Sequence, residues 1–401
     1  MELELMDRQR IENAVAKAGK YVDNLTVDSS VNKPAEIVGS TEKFFSWDNE
    51  KRSVLKHKLL FDWSYYTGVV MEGLYNICEA DASKREKYMP YITEYFDLLI
   101  DKDEDGAYKL NFDKAGYVDD HGADCYKTAA LLCRISGEKE SYKAVSERLY
   151  KHLTDDTYVN ANGVTPVKDC TEEALGYNYW HCWKKVPKYK IWLDGIYMLQ
   201  PFLAHQAALL GDEKTLEVIN GRLNWVAETL LSPNGMYYHA GNSKEDVCEF
   251  FWTRAMGWYG MAMVDVMEAL PEKYMESRKK ALKTFVDGML KFQKESGLWT
   301  NLADMPTTET NRLEVSGTSM ICYTILKGVR NGWLDESYKD AAVKAFVGMV
   351  ETKMDENGLH DIYLRASADS TNNYEKTDFY MTDEGKGSGP FIMAYSEVLY
   401  I

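Results

Sequence analysis

Five times along the chain, a helix-like apolar pattern leads into a polar turn that contains glycine and then into a short extended piece. The glycines are Gly106, Gly163, Gly235, Gly297 and Gly358, roughly 57 to 72 residues apart, and the copy at Gly163 is the weakest. This spacing leaves room for two helices and their loops in each repeat. Because glycine readily takes the left-handed conformation that ends many helices, we expect each one to cap the helix before it.

Between these turns lies a second kind of helix, followed by a polar break and a further helix, as in ALLCRISGEKESYKAVSERLYKHL. Apolar residues recur three and four positions apart there, which is typical of amphipathic helices. A helical pair repeated about six times indicates an α/α solenoid, either open or closed. No polar capping repeat is visible, and helix 61–77 and the last helix, GPFIMAYSEVLYI, are both strongly apolar. We therefore predict an all-α fold, a closed (α/α)6 barrel, with residues 1–401 in a single domain that begins with an N-terminal helix and lead-in at 1–40.

Charge and cysteine usage exclude several classes of protein. The formal net charge is −16 and the pI is near 5.0, without a Lys and Arg cluster, which argues against nucleic-acid binding. No run approaches the length of a membrane span, and the N-terminus has no basic-then-apolar signal. The seven cysteines are scattered without a CxxC pair, and the His, Cys and Asp residues show no metal-ligand spacing, so we expect no metal or other cofactor. Free thiols fit a cytoplasmic protein, or a periplasmic one if an exported precursor was trimmed.

Asp194 stands out because it lies inside an apolar, aromatic run, YKIWLDGIYM at residues 189–198. A carboxyl close to Trp192 is expected to have a raised pKa through desolvation, and it can then serve as a general acid. The ordinary alternative is a helix cap, since Asp and Ser cap helices routinely. Trp252, Arg254 and Trp258 in FFWTRAMGWYG are not capping residues, so the set as a whole favours a functional site.

A second carboxylate could assist Asp194, and Asp124 in YVDDHGADCYKTAALL is the most plausible candidate. Paired carboxylates in an aromatic bowl are what glycoside chemistry requires. The motif EVSGTS could suggest a serine nucleophile, but no histidine base accompanies it in a recognisable motif, and we interpret it as a tight helix start. An aromatic content of 13% fits a sugar-binding cleft, although a large core explains it equally well.

Four segments also resemble a known family: IWLDGIYM, FFWTRAMGWYGMAMVDVMEALPE, EVSGTSMICYTILKGVRNGWL and GSGPFIMAYSEV. They are similar to the unsaturated glucuronyl and rhamnogalacturonyl hydrolases of glycoside hydrolase families 88 and 105, and closer to family 105. The resemblance runs from about residue 63 to residue 401, and the segment around Trp252 is its most specific part. It implies an (α/α)6 barrel, in agreement with the repeat count.

The resemblance also implies a reaction and a set of site residues. The substrate would be an oligosaccharide with a 4,5-unsaturated uronic acid at its non-reducing end, left by a polysaccharide lyase. Asp194 would protonate the double bond at C4, water would add at C5, and the hemiketal would open to release the saccharide. The assisting carboxylate would be Asp124, with Asp120 as the fallback. The substrate-binding positions would be Tyr65, Trp192, His239, Trp252, Arg254 and Trp258.

Two other functions remain open from the sequence. One is an inverting glycosidase or a sugar epimerase on the same kind of toroid, and the other is a non-catalytic glycan-binding or scaffold protein. Arg254 suits a uronate, because its planar fork can bind a carboxylate at two points. Loops 166–188 and 303–312 are expected to set the choice of saccharide. Either a monomer or a homodimer fits the sequence.

Overall fold

The computed structural model describes residues 2–26, 62–111, 117–118, 126–154, 191–366, 368 and 373–401. Within these ranges the chain forms twelve α-helices. In chain order they are α1 (Glu2–Thr26), α2 (Tyr65–Ala80), α3 (Arg85–Leu99), α4 (Lys127–Arg134), α5 (Glu140–Thr154), α6 (Leu193–Leu210), α7 (Glu213–Thr229), α8 (Thr253–Met267), α9 (Glu272–Leu290), α10 (Val315–Arg330), α11 (Lys339–Thr352) and α12 (Gly385–Val398).

The helices form two concentric rings. The even-numbered helices each pack against the next, and α12 packs against α2, so the inner ring is closed. Helices α3, α5, α7, α9 and α11 each pack outside the inner helix that precedes them, while α1 packs against α11 and α12 and completes the outer ring. The predicted all-α fold, a closed (α/α)6 barrel, is confirmed. That all of residues 1–401 belong to one domain stays a prediction.

Burial explains which helices take which ring. Every residue of α8 is buried, as expected for a helix that is covered on all sides. Helix α9 buries one face, whose residues follow the three-and-four spacing of an amphipathic helix: Met275, Arg278, Leu282, Phe285, Val286 and Met289. The apolar content of the chain is thus concentrated in the inner ring and in the facing stripes of the outer one.

Short strands join each outer helix to the next inner helix. They are β1 (Asp62–Trp63), β2 (Ile100–Lys102), β3 (Tyr108–Leu110), β4 (Tyr117–Val118), β5 (Ile191–Trp192), β6 (Ala240–Ser243), β7 (Asp246–Cys248), β8 (Trp299–Thr300), β9 (Leu313–Glu314), β10 (Met354–Asp355), β11 (Gly358–Leu359), β12 (Ile362–Tyr363) and β13 (Tyr380–Met381). Strand β1 pairs with β4 in parallel, and the other pairs are antiparallel. In the three-stranded sheet β5–β6–β7, Trp192 lies opposite Ala240, so the start of α6 is fixed beside the segment that contains His239.

The repeated glycines have a different role from the one expected. Gly106, Gly235, Gly297 and Gly358 all have positive φ, at 80°, 94°, 88° and 130°. The expectation that they cap helices is wrong, because α3, α7, α9 and α11 end several residues earlier and the glycines form the tight turns that follow. Glycine is required at Gly297 in particular, where a Cβ would lie 2.5 Å from the carbonyl oxygen of Lys344. Gly163 lies outside the described residues.

Charged side chains form a buried network inside the inner ring. Lys327 Nζ on α10 lies 2.8 Å from Asp265 Oδ1 on α8, and the Tyr323 hydroxyl donates to the same oxygen at 2.7 Å. Lys127 on α4 pairs with Glu72 on α2. Burial would raise the pKa of Asp265, but the charges of Lys327 and Lys127 outweigh it and hold that pKa below its ordinary value. The ion pairs therefore link α8 with α10 and α2 with α4, and the charge of Lys127 also acts on Asp265.

Removing one charge from this network is expected to destabilise the barrel. Lys327→Met leaves Asp265 without its nearest cation, and breaking a buried pair in this way costs about 3–5 kcal/mol. Chemical unfolding followed by circular dichroism measures the loss. Lys344→Met, which removes an exposed lysine of the outer helix α11, is the control and should change stability by less than about 0.5 kcal/mol. Equal effects of the two variants would contradict a stabilising role for the network.

Candidate active site

The inner helices all begin at the same end of the barrel, because each pair of them is separated by an outer helix that runs the opposite way. The residues that precede or begin them are Ser64, Tyr126, Trp192, Trp252, Glu314 and Glu384. Helix N-termini carry a partial positive charge. The carboxylates of Glu314 and Glu384 already cap two of them, so the other four favour an anion at this end. Most of the site residues expected from the sequence belong to these helix starts.

Asp194 is the second residue of α6 and lies in its first turn. The N-cap is Trp192, which makes no side-chain capping bond, so the carboxyl of Asp194 is not the cap that the ordinary alternative requires. Its side chain is 14% exposed, while Trp192 is 5% exposed. The structure therefore gives this carboxyl an apolar, aromatic setting with a limited opening to solvent.

His239 contacts Asp194 directly. Its Nε2 atom lies 3.1 Å from Asp194 Oδ2, and its Nδ1 atom lies 2.6 Å from the hydroxyl of Tyr374. The imidazole is fully buried, with the rings of Trp192 and Trp252 each 5.0 Å from it between centroids. Both nitrogens thus have polar partners within the protein, and His239 is positioned to support Asp194. A contact between His239 and a sugar stays a prediction.

Tyr374 and Asn301 complete this arrangement, and sequence reasoning missed both. Asn301 accepts a hydrogen bond from the Trp252 indole at 2.9 Å and donates one to the main-chain oxygen of Tyr374 at 2.7 Å. The Tyr374 ring stacks on Phe250, with centroids 4.3 Å apart. No motif marks either residue, and 135 positions separate Tyr374 from His239, so the linear pattern carries no signal for the contact.

Arg254 is 2% exposed and is held by the protein itself. Its guanidinium donates to the main-chain oxygens of Tyr363 and Leu364, the latter at 3.0 Å, and lies 4.5 Å from the centre of the Trp252 ring. It also approaches the hydroxyl of Ser316, at 3.5 Å. These contacts fix Trp252 against His239. Direct contact between Arg254 and a substrate carboxylate stays a prediction.

Trp258 and Tyr65 lie together at the mouth of the ring but at different depths. Trp258 is 1% exposed and stacks on Tyr197 at 5.1 Å, while Tyr65 meets its edge at 6.1 Å. Tyr65, the first residue of α2, is only partly buried. Of the two, Tyr65 is therefore the ring with the easier access to a ligand, and Trp258 supports it from behind.

Some of the expected site residues lie outside the described part of the chain, and the described part can be searched for metal sites and membrane-spanning helices. Asp124, Asp120 and loop 166–188 lie outside that part. Among the residues that the structure describes, no group of three or more His, Cys, Asp or Glu side chains is arranged to hold a metal ion. In the same part of the chain, no helix combines the length and the hydropathy needed to cross a membrane. Loop 303–312 is described, and burial raises the pKa of its Asp304 carboxyl.

Comparison with known proteins finds relatives that are named as hydrolases of unsaturated saccharides. The chain is 26% identical to the unsaturated 3S-rhamnoglycuronyl hydrolase of Alteromonas sp. (strain LOR) over 330 residues, which cover 77% of this chain and 75% of that protein. It is 22% identical to the unsaturated rhamnogalacturonyl hydrolase YesR of Bacillus subtilis (strain 168) over 297 residues, 73% of this chain and 77% of that protein.

Solved structures agree with this result. A glycoside hydrolase from family 105 of C. acetobutylicum ATCC 824 superposes with a TM-score of 0.69 at 26% identity, over 92% of this chain and all of the other. A family 88 structure from Bacteroides vulgatus, at 17% identity and a TM-score of 0.62, shares the fold over 92% of this chain and 99% of its own. The family model for Glycosyl Hydrolase Family 88 matches residues 40–401. The resemblance seen in the sequence is thereby confirmed, and the chain belongs to Glycosyl Hydrolase Family 88.

Proposed function

We propose that the protein removes a 4,5-unsaturated uronic acid from the non-reducing end of oligosaccharides left by polysaccharide lyases. Family membership makes it a glycoside hydrolase, and two relatives are named as hydrolases of unsaturated rhamnoglycuronyl and rhamnogalacturonyl substrates. The observation that carries the proposal is the pairing of Asp194 with the buried His239, among tryptophans, where the inner helices begin. These relatives do not favour an inverting glycosidase or a sugar epimerase, nor a non-catalytic glycan-binding protein.

The proposed reaction begins with proton transfer from the Asp194 carboxylic acid to C4 of the substrate. The positive charge that develops at C5 is shared with the ring oxygen, and water adds at C5 and returns a proton to the Asp194 carboxylate. The resulting hemiketal opens to a ketone at C5 and a hemiacetal at C1, which then releases the saccharide. Asp194 thus acts first as acid and then as base, and no net proton is consumed.

The uronate carboxylate is expected to bind where the inner helices begin. The N-terminal ends that are not capped by Glu314 or Glu384 attract an anion even though the chain as a whole is acidic, because local partial charges outweigh a distant net charge. The exposed part of Tyr65 offers an apolar face for the sugar, whereas Trp252, which is buried, is a proposed member of the site that supports His239. We retain Trp192, His239, Arg254 and Trp258 as proposed members of this site, which they line or support.

The cellular compartment is also a proposal. The cysteines among the described residues, Cys78, Cys133, Cys248 and Cys322, are free and buried. Free thiols are compatible with a reducing compartment, and we propose the cytoplasm, with the periplasm as the alternative.

Activity on unsaturated substrates tests the function itself. Oligosaccharides produced by lyases from several polysaccharides should lose the ultraviolet absorbance of their conjugated double bond when incubated with the protein. The saturated counterparts should not release sugar, because protonation at C4 needs the double bond. Release of saturated and unsaturated sugars at similar rates would instead indicate an ordinary glycosidase.

Asp194→Asn is expected to lower kcat by at least about a hundredfold, since an amide cannot donate the proton that starts the reaction. The thermal midpoint of unfolding should stay within a few degrees of the wild-type value. Asp340→Asn is the matched control, since it makes the same change at an exposed residue in the first turn of the outer helix α11. Comparable rates for Asp194→Asn and Asp340→Asn would remove Asp194 from the role of acid.

The identity of the second carboxylate is open to a paired test. We propose that Asp124 assists Asp194, so Asp124→Asn should lower kcat by roughly tenfold or more, while Asp120→Asn has the smaller effect. Initial rates at saturating substrate, measured side by side, decide between them. A larger loss in Asp120→Asn would transfer the role to that residue.

A further inference from the structure

A series of buried polar groups leads from Cys248 to Asp194. The Cys248 Sγ atom lies 3.5 Å from the hydroxyl of Tyr374, and that hydroxyl lies 2.6 Å from Nδ1 of His239. The other imidazole nitrogen, Nε2, lies 3.1 Å from Oδ2 of Asp194. Tyr374 and His239 are fully buried, and Cys248 is 7% exposed. In such a dry setting, hydrogen bonds are strong and polarise one another.

The direction of these bonds decides how the imidazole acts on the acid. A neutral imidazole carries its hydrogen on one of its two nitrogens, and the bond made by one nitrogen determines the state of the other. A phenol hydroxyl donates to an unprotonated ring nitrogen more readily than its oxygen accepts from an N–H. With the Tyr374 hydroxyl donating to Nδ1, the hydrogen of His239 is on Nε2 and faces Asp194.

We propose that Tyr374 is a positioning residue, which holds His239 in the tautomer protonated at Nε2 so that His239 stabilises the Asp194 carboxylate formed during proton transfer. This inference rests on the proposed function, in which Asp194 is the acid. A donor that is already in place where negative charge develops lowers the barrier without reorganisation. The imidazole keeps its own hydrogen throughout, and the water that adds at C5 restores the proton of Asp194.

The position of Tyr374 does not depend on its hydroxyl. Its ring stacks on Phe250 with an interplanar angle of 17°, and its main-chain oxygen accepts the hydrogen bond from Asn301. Tyr374→Phe therefore keeps the ring and the main chain in place and removes only the group that contacts Nδ1. The variant therefore tests the effect of the hydroxyl on the tautomer of His239 without changing the packing of the ring.

Other titratable groups lie on the elements that carry or adjoin the site and must be considered for any change with pH. They are Tyr65 and Tyr66 on α2, Lys127 on α4, Arg254 on α8, Glu314 on α10, Glu384 and Lys386 on α12, Asp246 and Cys248 on β7, and Tyr363 on β12. All of them remain in the Tyr374→Phe variant. A shift in the pH profile between variant and wild type then reports on the pair formed by Asp194 and His239.

The expected change has a definite sign. Asp194 must be protonated to act, so activity falls on the basic side of the profile as the pair loses its proton. The Nε2 hydrogen favours the ionised carboxylate. When the Tyr374 hydroxyl no longer fixes that hydrogen on Nε2, the basic limb of kcat/KM should move to higher pH by about half a unit to one unit. In addition, kcat should fall roughly tenfold, since Asp194 becomes a weaker acid.

Tyr363→Phe provides the matched control. The Tyr363 hydroxyl donates to the main-chain oxygen of Asn373 at 2.8 Å and accepts from the main-chain nitrogen of Lys376 at 2.9 Å, so it holds the same segment without touching His239. Burial raises the pKa of Tyr363 to about 12, so its hydroxyl stays neutral through the profile. The variant can lower the unfolding temperature, but it should leave the basic limb at its wild-type pH. KM should change little in Tyr374→Phe, because the deleted hydroxyl is buried behind His239.

Two results would overturn the proposal. A basic limb that moves to lower pH would mean that Nδ1 donates to Tyr374, and an unmoved limb would mean that the hydroxyl only supports the fold. Nitrogen-15 spectra of histidine-labelled wild-type protein give an independent answer, since the pattern of ring couplings distinguishes a hydrogen on Nε2 from one on Nδ1. If wild-type protein consumes no unsaturated substrate, the proposed function fails, while these spectra still test the tautomer.

Discussion

Close contact between neighbouring inner helices is the constraint from which the other features follow, because six helices form a closed ring only if every adjacent pair comes near enough. Glycine stands at several of the nearest points. A Cβ on Gly73 of α2 would lie 2.8 Å from the Ile392 side chain of α12, and one on Gly257 of α8 would lie 2.6 Å from Cβ of Met320 on α10. Both distances are shorter than two carbon atoms tolerate. Larger residues there would separate the helices and open the ring.

The two ends of the inner ring differ in electrostatics, because all six inner helices begin at the same end. At one end the helix starts present main-chain N–H groups, and the side chains around Asp194 are largely aromatic. Deeper in the ring, charges occur in opposite pairs, such as Lys327 with Asp265 and Arg330 with Glu397 on α12. Paired charges largely cancel at a distance, so the field at the mouth is governed by the helix ends and the groups beside them. Among those groups, the carboxylates of Glu314 and Glu384 offset two of the six helix starts, and Lys386 pairs with Glu384. An acidic protein can therefore present an end that suits an anionic sugar.

The sequence predicted the elements whose signal is local, and missed those that depend on distant contacts. Hairpin repeats and the inner helix at Asp194 follow from apolar periodicity, which needs only a short window of sequence. The predicted role of the repeated glycines as helix caps was wrong, because apolar periodicity does not distinguish a cap from a turn a few residues after the helix. Tyr374 could not be found because its partner His239 is brought to it by the closure of the whole barrel. Arg254 was recognised as unusual, but its partners could not be predicted. They are the main-chain oxygens of Tyr363 in β12 and of Leu364 just after it, which lie far from Arg254 in the sequence.

The setting of Asp194 combines influences that oppose one another. Burial between aromatic rings favours the neutral acid, whereas a location in the first turn of α6 and contact with His239 favour the carboxylate. Such a balance suits proton transfer to carbon, where the acid must hold its proton until the substrate arrives and then lose it to a weak base. An acid stabilised only by burial would hold its proton too firmly, and one beside a fixed cation would have lost it before the substrate bound. A neutral imidazole lies between these extremes, because it stabilises the anion through one hydrogen bond without adding a full charge.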